Sequence, residues 1–563
     1  ILKVWDDFKR CGAFLVSDRC KSLLDDVQIA PMSRVDKTDD EGFVDNSEGG
    51  RPIYDGRHGK KSLNKKTPAA PHPPAASPTH LALMFYIVWL CLLLPGVPVL
   101  CCKRDVKAAF KLIWIAISDS NWFGARFPST LFSPAKRAGA NFTWASMFIL
   151  FIVLQFGWSE SPSEYGVYGW AISMTHRSLG PFLACQLPCL AYMNLVFVDD
   201  AAIIEPDLFG RAEASCVAYN WSLFQVLGTA LNLKKLLVDG MLAFCHIFWG
   251  VTYHLERAAE GVQYIWVELT RSKKMKAVWF MKLKFAQPGE RAVLLVDHQR
   301  LAGNVQWWSV CAPALRGLLG SFYSMSRSES DVWLSPTGSA EEKELAWQEY
   351  DDAKTLLAML VEMGAEQPSY FQSRIIDSLD FYDLAHIPRG LGVHVRYIGS
   401  DSNGHETGGI MSGIDYSEGT WTFARAKEYA PTLLARLGVP SSEITKDLII
   451  FVTELLVVIC LAAEHGHKWT GFIVASIIDN DNSKEAITTR RSRNRYVRYL
   501  LLVLVALEFR YKFRLVAYFV GTKANWLLDG IGRFERFQDR TDDEVRAMIQ
   551  EELIDVHVPG LEF

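Results

Sequence analysis

The chain has 563 residues, 50% of them hydrophobic, 22% charged and 12% aromatic, which excludes an intrinsically disordered protein. At ordinary domain sizes that length holds roughly three to four domains, and a net charge of −4 gives no global nucleic-acid signal, so only local basic clusters can serve as such a surface. Eleven cysteines stand without a C-x-x-C pair; neither a zinc ribbon nor a thioredoxin motif is spelled, and a reducing compartment is expected.

The chain begins at Ile1 with no basic region, short apolar core and cleavage site behind it, as a fragment or a polyprotein product would. Its first 80 residues are polar and broken and end in a proline-rich connector, TPAAPHPPAASPTH (67–80). LALMFYIVWLCLLLPGVPVLCC (81–102) is nearly all apolar, but Pro95, Gly96 and Pro98 break it after 14 residues, short of the roughly 20 that a membrane-spanning helix needs. A buried element, a loop and then a strand before Lys103 are expected. That strand carries Asp105 to its end in KRDVKAAFKLI (103–113). In LQFGWSESPSEYGVYGWA (154–171), Gly157, Ser161-Pro162 and Gly166 mark a tight loop feeding a helix.

Asp-Asp occurs six times in the chain, but only in LVFVDDAAIIEP (195–206) does it have an apolar run on each side. The pattern predicts two strands joined by a tight two-residue turn. Neighbouring side chains of a continuous strand point to opposite faces, whereas both carboxylates can serve one site at a hairpin tip. Burying an ionised carboxylate costs several kcal/mol unless a cation or donors compensate it, so Asp199 and Asp200 point to a metal; the alternative is an exposed turn that uses aspartate as a turn former. Next come LGTALNLKKLLVDG (227–240) and FCHIFWGVTYHLE (244–256).

A basic segment, RSKKMKAVWFMKLKFAQPGER (271–291), opens a helical region to about 325, and a charged linker (326–344) leads to a helix near 345–364. After IPRG (387–390) a strand-rich unit begins, with Val393, Val395 and Tyr397 alternating, and it closes near Arg533. Thr541 and Glu544 spell a capping box for a short terminal helix. In this unit Asp401 ends a strand before a glycine-rich turn, and Glu454 lies within DLIIFVTELLVVICLAA (447–463), read as a buried site in a helix rather than a membrane span. Asp479 ends the strand in GFIVASIIDNDN (471–482), with Asp481 as an alternative, and Asp529 follows another apolar stretch. Four carboxylates at the ends of apolar elements are what a two-metal nuclease requires. EHGH (464–467) could ligate a metal through His465 and His467, but a helix-ending loop is the favoured reading.

In order and spacing these segments resemble the palm of reverse transcriptases. Motif A falls at Asp105 to Phe110, motif B at Phe156-Gly157 with Ser161-Pro162, and motif C at Phe197-Val198-Asp199-Asp200. Motif D falls at Gly228, Asn232 and Lys235, and motif E at Phe248-Trp249-Gly250. GRPIYDGRHGKKSLNKKT (50–67) looks like the fingers segment, with Arg51, Asp55 and Asn64 in order. The C-terminal order of Asp401, Glu454, Asp479-Asn480 and then Asn525, Asp529 and Arg533 resembles the RNase H domain of retrotransposon polyproteins, without the histidine some of these carry near the last aspartate. The whole is similar to DIRS-like and gypsy-like elements.

The resemblance implies an α+β multidomain chain: a right-hand polymerase with fingers, palm and thumb, followed by an α/β RNase H-like domain with a mixed five-stranded sheet. The boundaries expected are 1–104 for the N-terminal segment and fingers, 105–260 palm, 261–390 thumb and connection, 391–535 RNase H-like domain and 536–563 a charged C-terminal helix or tail. It implies that Asp105 and Asp199, with Asp200 beside them, hold two Mg2+ (or Mn2+), and that Asp401, Glu454, Asp479 and Asp529 hold a second pair. Phe110 falls on the steric gate, Arg51 on the triphosphate contact with Phe156 and Gly157 lining the substrate site, and Lys235 on the residue that protonates pyrophosphate, with Lys234 as an alternative. Expected partners are an RNA template, a DNA primer, RNA–DNA hybrid and dNTPs, bound along basic clusters 51–66, 271–291 and 490–499, in the cytoplasm or nucleus and without stable membrane association. The reaction implied is attack of the primer 3′-OH on the dNTP α-phosphate, with cleavage of the RNA strand at the second site. Two alternatives stand beside it: a co-opted element protein that binds nucleic acid without catalysis, and a membrane-associated protein.

Overall fold

The computed structural model describes residues 2–17, 27–36, 50–58, 62–67, 78–126, 147–180, 191–228, 231–238, 240–256, 265–285, 291–325, 332–378, 393–402, 410–418, 420–425, 434, 439–440, 444–525, 528–529, 541, 543–544 and 547. The chain is a mixed α and β protein with several sheets, divided into two compact units: 1–265 with 270–273, and 266–269 with 274–563. This division is coarser than the boundaries read from the sequence. In the first unit the N-terminal strand Ala13–Ser17 pairs with Met147–Phe151, which itself pairs with Gly124–Arg126, so residues assigned to fingers and palm share one sheet and one core. In the second, the segment expected as thumb and connection packs on the C-terminal helices, and Glu349 of helix Ala340–Glu366 grips Arg498 of helix Arg495–Tyr511 through hydrogen bonds of 2.6 and 2.8 Å.

The apolar run 81–102 folds as expected in order: helix His80–Leu93, a turn at Pro95-Gly96 and strand Val99–Asp105. Thr79 caps the helix by accepting a hydrogen bond from the Ala82 amide. The helix is buried on one face only, through Leu83, Met84, Ile87 and Leu90, while Leu81, Phe85 and Leu92 are exposed. Strand Val99–Asp105 runs antiparallel to Asp200–Pro206, which pairs in turn with Asn194–Phe197, giving a three-stranded sheet with the Asp200 strand in the middle. Helices Ser161–Ser178 and Arg211–Leu227 pack against it. Pro162 sits in the first turn of the former, where its missing amide costs nothing.

The second unit holds the mixed five-stranded sheet anticipated for the C-terminal region. Strands Thr420–Arg425, Ile410–Asp415 and His394–Ser402 are antiparallel neighbours, and Phe472–Ile478 and Arg514–Phe519 then join parallel to His394–Ser402. Parallel neighbours need long crossovers. Helix Lys446–His465 precedes the first of them, and helices Asp481–Thr489 and Arg495–Tyr511 precede the second. Among the described residues the helix around Glu454 is the one long and apolar enough to cross a bilayer, by length and composition only; Val452, Leu455 and Val458 bury it against strands Ile398 and Val474 belong to. The helix expected near 345–364 starts earlier, at Ala340, because Ser339 and Glu342 form a capping box inside the stretch read as linker. The terminal capping box is also formed, Thr541 with Glu544.

One buried ion pair organises this unit. Arg490, wholly buried in a left-handed conformation after helix Asp481–Thr489, donates to both oxygens of Glu508 at 3.2 and 2.5 Å and to the Leu515 carbonyl. Removing one partner of such a pair strands the other charge. Glu508→Gln should therefore cost roughly 3–5 kcal/mol, read as a fall in the calorimetric melting temperature, whereas Glu464→Gln, on an exposed carboxylate, should leave it unchanged.

Candidate functional site

The C-terminal carboxylates converge through strand register. Gly399 pairs with Ile477 on parallel strands, so two residues further on Asp401 and Asp479 stand side by side at the C-terminal ends of two adjacent inner strands. Helix Lys446–His465 brings Glu454 over them, and the carboxylate oxygens of Asp401, Glu454 and Asp479 lie within 4.8 Å of one another. Asp401 and Glu454 are buried, and the Ser402 amide donates to both, at 2.8 and 3.2 Å. Burial, and then the charge of Asp479, push the Asp401 carboxyl up to about 7. Burial, followed by the charges of Asp401 and Asp479, drives Glu454 well above the usual carboxylate range. Asp529 lies close enough to raise Asp401 further; its segment is tied to the same strand by a hydrogen bond from Asn525 to the Ser400 carbonyl at 3.5 Å. Arg533 and the glycine-rich turn 403–409 lie outside the described residues.

The residues present fit a divalent cation. Glu454 Oε2 is buried without a hydrogen-bond partner, and a set of hard carboxylate oxygens is what Mg2+ or Mn2+ takes. Asp479 rather than Asp481 belongs to the cluster: Asp481 is exposed one residue beyond Asn480, whose side chain caps the next helix by accepting from the Ser483 amide. His465 ends the helix and His467 lies exposed in the turn after it, so EHGH is a helix end.

The N-terminal unit gathers its carboxylates differently. Residues 197 and 200 pair directly, so the two-residue turn is Val198-Asp199 and Asp200 already begins the next strand. Asp200 stands directly across from Asp105. Val198 holds φ +54°, a strained conformation for a β-branched residue. Asp105 is buried and both its oxygens are engaged: Lys235 Nζ reaches Oδ1 at 2.5 Å and Asn232 donates to Oδ2 at 2.9 Å. Lys103, two residues before Asp105 and so on the same face of the strand, pairs with Asp200 Oδ2 at 2.9 Å. Burial raises the Asp200 carboxyl against the pull of Lys103. Burial alone would depress the Lys235 ammonium, but the hydrogen bond and charge of Asp105, with Asp200 and Asp199 behind it, hold it above its usual value. Among the described residues the C-terminal trio is the grouping tight enough for a metal; here a cation at Asp105 has to displace Lys235.

The loop at Phe156-Gly157 is closely fitted. Gly157 has φ +109°, and a Cβ there would land on the Tyr54 carbonyl oxygen, so no side chain is tolerated. Asn64 clamps the loop from both sides, donating to the Gly157 carbonyl at 2.9 Å and accepting from the Ser159 amide at 3.0 Å. Phe110 is only 5% exposed, packed on Phe156 and Tyr165 at ring separations of 4.6 and 5.8 Å, which core packing alone accounts for. Arg51 sits on a strand paired with Val35, and its side chain, like that of Lys234, lies outside the described residues. Phe248-Trp249-Gly250 forms a hairpin turn with both central residues at positive φ, the geometry suited to a two-residue connection. Trp249 packs at a tilt against Phe197, ring centroids 5.2 Å apart.

In two basic clusters several of the charges have acidic partners within the fold, although among the described charges of the first only Lys274 is buried. Lys274 pairs with Glu268, Lys282 with Glu362, Lys284 with Asp297 and Arg291 with Glu344. Arg490 and Arg498 are held by Glu508 and Glu349, which leaves Arg491 and Arg493 exposed in that stretch. Lysine and arginine counts along the sequence could not show which charges the fold consumes. The i−2 spacing of Lys103 from Asp105 is the sequence signal for its place beside Asp200.

No protein-family model matches the sequence, and no curated protein matches it. Among solved structures, the foamy viral protease–reverse transcriptase in complex with double-stranded DNA aligns over 92% of this chain and 68% of that one, at 13% identity and a TM-score of 0.38. A likeness of that size carries no weight for function, and the sites are read from their own residues.

A carboxyl raised by folding keeps its proton where the unfolded chain has released it. Its contribution to stability is therefore full below the ordinary value near 4 and is lost as pH rises through about 7 for Asp401. Asp401→Asn should stabilise the metal-free protein by roughly 1–3 kcal/mol at pH 8 and by little at pH 5. MgCl2 should raise the melting temperature of wild type more than that of the variant.

Proposed function

We propose that this chain is an RNA-directed DNA polymerase of retrotransposon type with a fused ribonuclease H, acting inside the cell on RNA template, DNA primer, dNTPs and RNA–DNA hybrid. The observation that carries the reading is the Asp401, Glu454 and Asp479 cluster, three carboxylates with ligand oxygens within 4.8 Å of one another at the ends of the inner strands of a mixed five-stranded sheet. Like charges are not buried together for stability; the arrangement is reasonable when a cation of higher charge is its natural occupant. Bound divalent ions there would supply Lewis acidity and neutralise charge developing on a phosphodiester. The protein's own part is to hold Asp401 and Asp479 on adjacent strands, to fix Glu454 through the Ser402 amide, and to bring Asp529 against the same strand.

Support at the N-terminal site comes from the pairing of Asp105 with Asp200 across the sheet, the strained Val198 turn that presents Asp199, and Lys235 within 2.5 Å of Asp105. In this reading Lys235 is a proton donor held charged by its neighbours, and Gly157 and Asn64 shape the floor of the nucleotide site. One observation favours a second reading, nucleic-acid binding without polymerisation: both oxygens of Asp105 are already satisfied by Lys235 and Asn232.

Two assays on the full chain separate these readings. With MgCl2, wild type should cleave the RNA strand of a hybrid, and Asp479→Asn should reduce cleavage to below about 1%; undiminished cleavage by the variant removes the nuclease assignment. Primer extension on an RNA template should proceed with wild type and fail with Asp199→Asn. Cleavage without extension by a folded wild type supports the second reading.

A further inference from the structure

Strand Val99–Asp105 carries adjacent cysteines, and alternation sends Cys101 and Cys102 to opposite faces. Cys102, three residues before Asp105, points into the core shared with helix Arg211–Leu227, where its Sγ lies 3.2 Å from Cys216 Sγ. Arg104 Nη1 stands 3.3 Å from Cys102 Sγ and is itself fixed by the Gly240 carbonyl at 2.6 Å, while its Nε donates to Asn220 at 3.2 Å. Two thiols and an anchored guanidinium thus meet in one place that neither carboxylate cluster uses. Disulfide geometry needs the sulfurs at about 2.05 Å, little more than 1 Å closer than they stand.

We propose that Cys102 and Cys216 are a redox-modification site, a dithiol that consumes one equivalent of hydrogen peroxide and closes into a disulfide tying the Asp105 strand to the helix behind it. Cys216 is the attacking group. The hydrogen bond from Cys102 lowers its thiol, burial opposes this, and the Arg104 charge assists, whereas Cys102 is raised. The Cys216 thiolate attacks one peroxide oxygen; an S–O bond forms, the O–O bond breaks, and the departing hydroxide takes up the proton Cys216 released, leaving a sulfenic acid and one water. Cys102 sulfur then attacks the Cys216 sulfur, its proton leaves with the sulfenic oxygen as the second water, and the S–S bond forms. Two thiols are oxidised by two electrons in total and one peroxide is reduced to two waters.

The exposed thiols Cys11, Cys245 and Cys460 are the natural competitors. The test treats the intact, reduced chain with stoichiometric hydrogen peroxide, blocks remaining thiols under denaturing conditions and maps peptides without reductant. The expected product is a single cross-linked pair containing Cys102 and Cys216, returned to free thiols by dithiothreitol and absent from both Cys216→Ser and Cys102→Ala. Recovery of Cys102 and Cys216 as blocked free thiols while Cys11, Cys245 or Cys460 is oxidised overturns the proposal, as does Cys216 found as sulfinic or sulfonic acid without the cross-link. The readout is a peptide mass, so it stands or falls independently of whether the chain polymerises DNA.

Discussion

Like charges brought together at the ends of buried strands are the constraint on which both units are built. A carboxylate moved out of water costs several kcal/mol unless something compensates it, and a second one beside it adds repulsion. The two clusters meet that cost differently. In the N-terminal unit the compensation is built in, since Lys235 and Lys103 reach Asp105 and Asp200 from the same face of the sheet. At Asp401 and Glu454 the neighbouring charges are those of other carboxylates, so relief comes from retained protons.

Holding such arrangements requires rigid support, and polar networks supply it behind each sheet. Beneath the Asp199 hairpin, wholly buried Glu205 accepts from Arg211 at 2.7 Å, from Ser215 at 2.8 Å and from the Met193 amide at 2.7 Å. His176 continues the chain, 3.0 Å from Ser215 Oγ and 2.6 Å from Asn194. Burial pushes Glu205 up to about 6 and His176 down to about 4, so near neutrality the network is an ionised carboxylate with a neutral imidazole. It joins helices Ser161–Ser178 and Arg211–Leu227 to both strands of the hairpin. In the second unit Asp415 has the corresponding place, accepting from Trp469 at 3.0 Å and pairing with Arg396 at 3.3 Å.

What could be read from the sequence follows from how local its cause is. Strand ends bearing Asp105, Asp401 and Asp479 were visible because an apolar run followed by a carboxylate is a pattern of neighbouring residues. The helix around Glu454 and the break at Pro95-Gly96 were visible for the same reason. The start at Ala340 was legible too, in Ser339 and Glu342, but the surrounding charges masked it. Pairings across long separations were not legible. Nothing local ties Glu349 to Arg498 or Ala13 to Phe151, and those contacts decide that the chain makes two units. Which basic residues have acidic partners was illegible for the same reason, since a solvated lysine and a paired one are written with the same letter.

The two adjacent aspartates of the hairpin show how much a single step of register decides. Had both stood in the turn, as the apolar runs on either side allowed, they would be interchangeable. Instead Phe197 pairs with Asp200, Val198 takes the left-handed conformation, and Asp199 alone occupies the second turn position. Asp200 becomes a strand residue whose neighbour across the sheet is Asp105 and whose counter-ion is Lys103. A one-residue slip in a strand exchanges its faces, so this register gives the two carboxylates different surroundings and different work. Asp199 is presented at the tip, while Asp200 lies within the sheet, across from Asp105 and paired through one oxygen with Lys103.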